Sequence, residues 1–270
     1  MYSTLDAIDF NKLYFIQKRA SSSKSKGAKA WDERAFGMNE KIHVSSYNEE
    51  LEQKIDFSNA STLLDVGCGP GTFSLRFSSH VKEVFAFDFS PMMLDILRVN
   101  AQTKGIANIT SLNADIEGDW SHIPICDVVL ASRCLEVDDL KKVLINLDTH
   151  AKQAVYLTYK VGKSYLNEAL LRALGKEIVP RPDYMYVLNI LHSMGILASL
   201  DFILPHEKVC CEKEGSVEDF IQAIEWSLGD LSEEEAQRAK DYFQMNQKKG
   251  VIPALRDNRW ALISWKKSIL

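Results

Sequence analysis

Short apolar segments alternate with amphipathic segments between residues 62 and 160. The apolar segments are rich in β-branched and aromatic residues, which is typical of strands buried inside a sheet. The segment that follows Asp138 places its apolar residues on one face of a helix. The alternation predicts five strands: TLLDV at 62–66, EVFAFDF at 83–89, NITSLNAD at 108–115, DVVLASRC at 127–134 and AVYLTYK at 154–160.

Helical patterns flank this alternating region on both sides. Ser216 and Ser232 each precede an acid by three positions, as in a capping box, so residues 216–248 predict two helices. A polar connector rich in serine and lysine is predicted at 20–30. The other predicted elements are helices at 1–19, 31–43, 47–55, 164–174 and 183–194, and strands at 198–204 and 259–267.

Strands that alternate with helices predict an α/β fold, in which a doubly wound, mostly parallel sheet is covered by helices on both faces. With the two later strands, this becomes a seven-stranded sheet with extra helices. We expect an N-terminal helical lid or cap at 1–56 and a main domain at 57–270, with helical insertions near 163–195 and 216–248. Ligands of such sheets bind beyond the carboxyl ends of the strands, where strand order reverses.

Composition and charge exclude several classes of protein. The 270 residues are 46% hydrophobic and carry a net charge of −5, which argues against a nucleic-acid partner, although residues 1–30 are locally basic. No apolar run is long enough for a membrane helix, and the first fifteen residues do not resemble a signal peptide. The five cysteines form no C-x-x-C pair, so we expect free thiols, no metal site and a cytoplasmic protein.

Three glycines in alternation follow the first predicted strand, which ends near Asp65. Gly67, Gly69 and Gly71 indicate a backbone that bends sharply or approaches a ligand closely. Their G-x-G-x-G spacing differs from the G-x-G-x-x-G of dinucleotide-binding folds, which disfavours a dehydrogenase. Asp65 is suited either to accept a hydrogen bond from a ligand ammonium group or to fix the turn.

Two more carboxylates end the next two predicted strands. Asp88 follows the glycine turn by about 20 residues, where an acid accepts hydrogen bonds from both hydroxyls of a ribose. Asp115 closes the third predicted strand, where a carboxylate can accept from an exocyclic amine. Sites for an amine, a ribose and an adenine in that order describe S-adenosylmethionine.

The motifs D-x-G-x-G-x-G, FDFS and NAD at successive strand ends resemble those of the class I S-adenosylmethionine-dependent methyltransferases. The resemblance is strong over about residues 50–160. It implies a Rossmann-like methyltransferase fold with an antiparallel last strand, in which residues 57–270 bind the cofactor. It also implies S-adenosylmethionine as cofactor and S-adenosylhomocysteine as product.

The resemblance assigns roles to individual residues. The glycine turn would hold the methionine part of the cofactor, and Cys68 would contribute only its backbone. Asp88 would bind the ribose and Phe89 would lie against the adenine. Asp115 and Ile116 would lie beside the adenine amine and ring, and Ala131 and Ser132 would pass the sulfonium.

Residues on the acceptor side leave alternatives open. Arg133 either grips a carboxylate or phosphate of the substrate or pairs with Glu136 or Asp138. Trp31 and Arg34 resemble a lid over the methionine end, or belong to a helix that packs on the sheet. Tyr159 is a candidate general base, chosen only for its position at the end of the fifth predicted strand.

The sequence therefore predicts a methyltransferase that acts on a small molecule, anionic if Arg133 binds it, through an oxygen, nitrogen or carbon nucleophile. The alternatives are an RNA or protein methyltransferase and a regulatory module that binds S-adenosylmethionine without transferring its methyl group. SRCL at 132–135 stands where base N6-methyltransferases carry an N-P-P-Y type motif, which disfavours that kind of RNA enzyme.

Overall fold

The protein is described by a computed structural model that covers residues 4–21, 25–177, 179–204, 216–249, 255 and 258–267. Seven strands form one sheet in the order β3-β2-β1-β4-β5-β7-β6. The strands are β1 (Thr62–Val66), β2 (Glu83–Asp88), β3 (Ile109–Asn113), β4 (Cys126–Ser132), β5 (Ala151–Lys160), β6 (Ser199–Ile203) and β7 (Trp260–Lys266).

Helices cover the sheet and extend beyond it, after a short 3₁₀ turn at Leu5–Ala7. They are α1 (Phe10–Ala20), α2 (Ala28–Ile42), α3 (Ser46–Lys54), α4 (Thr72–Phe77), α5 (Pro91–Thr103), α6 (Leu140–Thr149), α7 (Glu168–Ala173), α8 (Tyr184–Ser193), α9 (Val217–Leu228) and α10 (Glu233–Lys248).

The pairing of the strands confirms the predicted fold class. Strands β1 to β5 are parallel, whereas β7 lies between β5 and β6 and is antiparallel to both. Strand order reverses between β1 and β4, so the expected ligand edge lies beyond the carboxyl ends of these two strands. Leu63, Leu64 and Val66 of β1 are fully buried, as expected for a central strand covered on both faces.

Several predicted boundaries differ from the structure, among them the end of β3 and the start of α2. Strand β3 ends at Asn113, because the next residues turn: Asp115 accepts hydrogen bonds from the backbone N–H groups of Glu117 and Gly118. Residues 28–30, predicted as part of the connector, begin α2, and residues 22–24 of that connector lie outside the described residues. Both predicted capping boxes are present, at Ser216 and Ser232.

The N-terminal helices pack directly on the sheet and its helices. Tyr14 of α1 is fully buried and donates its hydroxyl proton to the Val137 carbonyl. Ala35 of α2 packs in one apolar cluster with Met93 and Ile96 of α5. Leu51 of α3 packs in a second apolar cluster, which includes residues of the sheet. Helices α7, α9 and α10 share a separate apolar cluster. The division into a lid at 1–56 and a domain at 57–270 stays a prediction.

Two further expectations concern membranes and thiols. Within the described ranges, no helix has both the length and the apolar character to cross a bilayer. Cys68, Cys126 and Cys134 are free thiols, while Cys210 and Cys211 lie outside the described residues. The cytoplasmic location stays a prediction.

Candidate active site

The glycine turn connects the end of β1 to α4. Gly67, Gly69 and Gly71 have φ values of +62°, +55° and +88°, in the left-handed region that side chains disfavour. A Cβ on Gly67 would lie 2.6 Å from Cys134 Cβ, and one on Gly71 would lie 2.2 Å from Leu97 Cδ1. A Cβ on Gly69 would meet no described atom within 4 Å. At Gly67 and Gly71 the packed neighbours therefore leave no space for a Cβ, whereas a Cβ on Gly69 would point into open space.

Asp88 ties the glycine turn to the start of α5. Its carboxylate is 7% exposed and accepts hydrogen bonds from the backbone N–H groups of Gly69 and Ser90, both at 2.9 Å. Burial raises the pKa of Asp88, and the two backbone hydrogen bonds oppose that rise. Each carboxylate oxygen keeps a further lone pair, so Asp88 can still accept hydrogen bonds, and its predicted contact with a ribose stays a prediction.

Asp65 lies at the base of the same turn and is only 2% exposed. It accepts a hydrogen bond of 2.6 Å from Ser74 Oγ on α4, which holds the helix against β1. Burial and, to a smaller extent, the charge of Asp88 raise the pKa of Asp65 from its ordinary value of 3.8 to about 7, while the hydrogen bonds from Ser74 oppose the rise. Asp65 therefore fixes the turn, and its predicted contact with a ligand ammonium group stays a prediction.

The raised pKa of Asp65 predicts how stability depends on pH. Because the folded state holds the proton more tightly than the unfolded state, this stabilising contribution is complete below about pH 4 and is lost as pH rises to about 7. The rise from 3.8 to about 7 corresponds to at most about 4 kcal/mol. In Asp65→Asn, the free energy of unfolding, measured with urea, should therefore change less between pH 4 and 7 than it does in the wild type. Asp95→Asn, at an exposed carboxylate, is the control, and equal slopes for Asp65→Asn and wild type would contradict the assignment.

The predicted adenine end is built from the segment after β3. Asn113 Nδ2 donates to the Asp88 carbonyl at 3.0 Å, so this segment is bonded to the end of β2. Asp115 is exposed and Phe89 and Ile116 are half-buried. Ile116 also accepts a hydrogen bond from the indole of Trp120 through its carbonyl. The sequence predicted Asp115 at the end of the third strand, but it lies two residues beyond the end of β3, and its role at the adenine stays a prediction. Asn113 was not singled out.

A hydroxyl network lies at the ends of β4 and β5, where the sequence analysis expects the acceptor. Ala131 is fully buried between the paired residues Val66 and Leu157. The hydroxyl of Tyr47 on α3 lies 2.8 Å from both Ser132 Oγ and Thr158 Oγ1. This network joins α3 to both strand ends. Sequence reasoning missed Tyr47 and Thr158, because only the register of β4 on β5 brings Thr158 beside Ser132.

Arg133 adopts a left-handed backbone conformation with φ +59°. Its backbone N–H donates to Thr158 Oγ1 at 3.0 Å, and its guanidinium stacks on the Tyr47 ring at 4.4 Å. Glu136 and Asp138, the alternative partners, instead lie beside Arg181 and Lys18. The expectation that Arg133 pairs with these acids is therefore wrong for this structure, because stacking on Tyr47 takes its place.

Tyr159 is buried against Tyr14 and Arg181 and is 3% exposed. Burial raises the pKa of Tyr159, so the phenol holds its proton at neutral pH. This environment works against the candidate role as general base.

Trp31 and Arg34 of α2 contact Trp226 of α9. The Trp31 and Trp226 rings are T-shaped at 5.4 Å, and the Arg34 guanidinium stacks on Trp226 at 4.1 Å. Partial burial lowers the pKa of Arg34. These contacts are those of packed helices, and the lid role stays a prediction. Asp32, which the sequence analysis missed, accepts hydrogen bonds from Ser90 Oγ and the Met92 N–H and so ties α2 to the start of α5 beside Asp88.

The fold and site together define a class of protein. A glycine turn after β1, a carboxylate at the end of β2 and an antiparallel last strand are the features that the resemblance predicted, and the structure places that last strand between β5 and β6. Residues 63–153 match the family described as Methyltransferase domain. The match and the fold together identify the chain as an S-adenosylmethionine-dependent methyltransferase with the class I fold.

The chain is similar to several particular proteins. An uncharacterized protein of Haemophilus influenzae is 36% identical over 264 residues, which cover 97% of this chain and 98% of that protein. An uncharacterized RNA methyltransferase of Listeria monocytogenes is 28% identical over 129 residues, 46% of this chain and 28% of that protein. The fold is similar to that of phosphoethanolamine N-methyltransferase 2 of Haemonchus contortus, solved with phosphomonomethylethanolamine and S-adenosylhomocysteine. The TM-score is 0.52 at 19% identity, over 82% of this chain and 52% of that one.

Proposed function

We propose that the protein transfers a methyl group to a small-molecule acceptor held beyond the carboxyl ends of β4 and β5. The observation that carries the proposal is a narrow cleft at this edge, walled by side chains from β5, β7 and the segments that follow β4 and β5. A cleft this narrow admits only a small group of an acceptor. Its lining includes Arg133, Thr158, Tyr165, Arg181 and Trp260.

The residues present fit the cofactor of this class. The open side of Gly69 leaves room for a methionine chain, and Asp88 keeps acceptor lone pairs for ribose hydroxyls. S-Adenosylmethionine supplies a methyl group bound to a positively charged sulfur. Asp115 and Ile116 are proposed to hold the adenine, and Ala131 and Ser132 to pass the methyl-bearing end.

The chain contributes to catalysis by positioning and by excluding water. The hydroxyl of Tyr47 fixes Ser132 and Thr158, and Thr158 in turn fixes the backbone of Arg133. This rigid edge would hold the acceptor nucleophile in line with the methyl group, and the enclosing aromatic rings would keep water out. The raised pKa of Tyr159 argues against that residue as a general base, so we propose positioning as the main contribution of Tyr47, Ser132 and Thr158.

RNA methylation is the second candidate. Its support is the similarity to the Listeria protein, which spans under half of this chain. The net charge of −5 works against it, since phosphate contacts dominate nucleic-acid affinity.

The test supplies cofactor with an isotopically labelled methyl group to the purified protein together with a cell extract. The extract is separated afterwards into small molecules, RNA and protein. We expect label in the small-molecule fraction, and less of it with Asp88→Asn when the cofactor is supplied near the wild-type Kd. Label in RNA or protein would instead favour those alternatives. Intact S-adenosylhomocysteine binding with no transfer to any fraction would favour a regulatory module.

A further inference from the structure

Arg181 is held at a fixed position in the loop between α7 and α8. Pro180 and Pro182 flank it and restrict the backbone on both sides. Its N–H donates to the Lys163 carbonyl at 3.0 Å, and its carbonyl accepts from Gln17 Nε2 at 3.1 Å. The loop is therefore fastened both to the segment after β5 and to α1.

The guanidinium of Arg181 is buried without enough hydrogen-bond acceptors. The residue is 4% exposed and stacks on the ring of Tyr165 at 4.1 Å. Among the described residues, its Nε and Nη1 atoms have no hydrogen-bond partner. Glu136 Oε1 lies 3.8 Å from Nη2, which is beyond hydrogen-bond distance. A buried cation with unsatisfied donors destabilises the free protein, so a ligand that supplies a hydrogen-bond acceptor would stabilise it.

The other charged groups around the cleft do not supply that acceptor. The Lys160 ammonium donates to the carbonyls of Val161 and Arg259. Asp183 accepts from the Gly162 N–H through Oδ2 and forms no ion pair with Arg181 in the described part of the chain. Arg133 adds a further positive charge to the lining. Among the described residues, the lining therefore carries the positive side chains of Arg133, Lys160 and Arg181 against the carboxylate of Glu136, and this balance favours an anion.

We infer that Arg181 binds a carboxylate of the methyl acceptor, so that the acceptors are small carboxylic acids. The inference rests on the proposed function and deepens it by naming the substrate class. The free cleft has room for about one water molecule, which suits an oxygen of a planar carboxylate better than a tetrahedral phosphate. The planar guanidinium can donate to both carboxylate oxygens at once. Arg181 thereby selects the acceptor, while the ends of β4 and β5 position its nucleophile.

The test observes Arg181 directly in the full chain saturated with S-adenosylhomocysteine. The protein is labelled with ¹³C,¹⁵N-arginine, and the Nε–Hε signals are recorded by NMR during titration with sodium acetate. Sodium chloride at equal ionic strength and sodium phosphate are the other two titrations. We expect one Nε–Hε signal to shift saturably with acetate and not with chloride. No acetate-specific shift would overturn the inference, and a saturable shift with phosphate alone would overturn the choice of carboxylate.

Variants assign the signal and guard against a folding defect. Arg181→Lys should remove the responding signal and weaken acetate binding at least tenfold. Arg172→Lys, on the exposed surface of α7, is the matched control and should leave acetate binding unchanged. If Arg181→Lys does not fold, Tyr165→Leu assigns the signal, because it removes the ring stacked on the guanidinium. A responding signal that belongs to another arginine would contradict the inference.

Binding of S-adenosylhomocysteine is measured in the same samples. Failure to bind it would contradict the proposed function itself. Normal binding without an acetate response would contradict only the role of Arg181.

Discussion

Gly67→Ala is expected to lower the free energy of unfolding by about 2–5 kcal/mol, the combined cost of a left-handed alanine and of an overpacked contact. The added Cβ would lie 2.6 Å from Cys134 Cβ, an atom attached directly to the backbone after β4. That backbone cannot retreat freely, because Cys134 Sγ also donates to the Val66 carbonyl at 3.1 Å. Urea unfolding of the protein without ligand measures the effect.

Gly69→Ala is the matched control within the same turn. Its φ of +55° imposes a similar backbone strain, but its Cβ would meet no described atom within 4 Å. Its cost in stability should therefore be only about 1–2 kcal/mol. The new methyl group would instead occupy the space that we propose for the cofactor, and it should weaken S-adenosylhomocysteine binding at least tenfold by calorimetry. Equal losses of stability in the two variants, or unchanged binding in Gly69→Ala, would contradict this division of roles.

The elements of the fold follow from patterns local in sequence. β1 matches its predicted range of 62–66, and the predicted N-cap Ser90 accepts from the Met93 N–H at the start of α5. Burial on both faces gives the strands continuous apolar runs, and capping serines mark the helix starts, so both can be recognised without tertiary information. β3 was predicted too long because the polar segment after Asn113 is stabilised as a turn rather than as a strand.

The sequence could locate residues of the candidate site only where they lie at or near the ends of strands. Asp65 and Asp88 could be located because each closes an apolar run. Their contacts could not, since the bond from Gly69 to Asp88 depends on how the turn folds back over β2.

Contacts between distant segments left no signal in the sequence. Tyr47 and Thr158 are 111 positions apart, yet their hydroxyls lie 2.8 Å from each other. In the segment PRP, the two prolines indicated only a break between helices, although the arginine between them is the buried cation of the cleft. Burial of a charged side chain depends on the whole surrounding structure, whereas an isolated arginine in a sequence is usually exposed.

The second large effect is expected at Asp88. In the wild type, S-adenosylhomocysteine at ~100 times its Kd should add about 2.7 kcal/mol to the free energy of unfolding. Asp88→Asn keeps the shape of the side chain but removes its charge, and losing a charged hydrogen-bond partner costs about 1.5–3 kcal/mol. We therefore expect affinity for S-adenosylhomocysteine to fall by at least about tenfold, measured by calorimetry.

The structure adds that Asp88 also supports the free protein, because it accepts from both Gly69 and Ser90. Asp88→Ala should thus lower the melting temperature without ligand, whereas Asp88→Asn keeps one oxygen acceptor and should lower it less. Comparing the two variants separates cofactor binding from support of the turn. Asp115→Asn, at an exposed carboxylate whose hydrogen bonds stay within its own turn, should change affinity less than Asp88→Asn. Wild-type affinity in Asp88→Asn together with a lowered melting temperature would show that the carboxylate acts on the glycine turn alone.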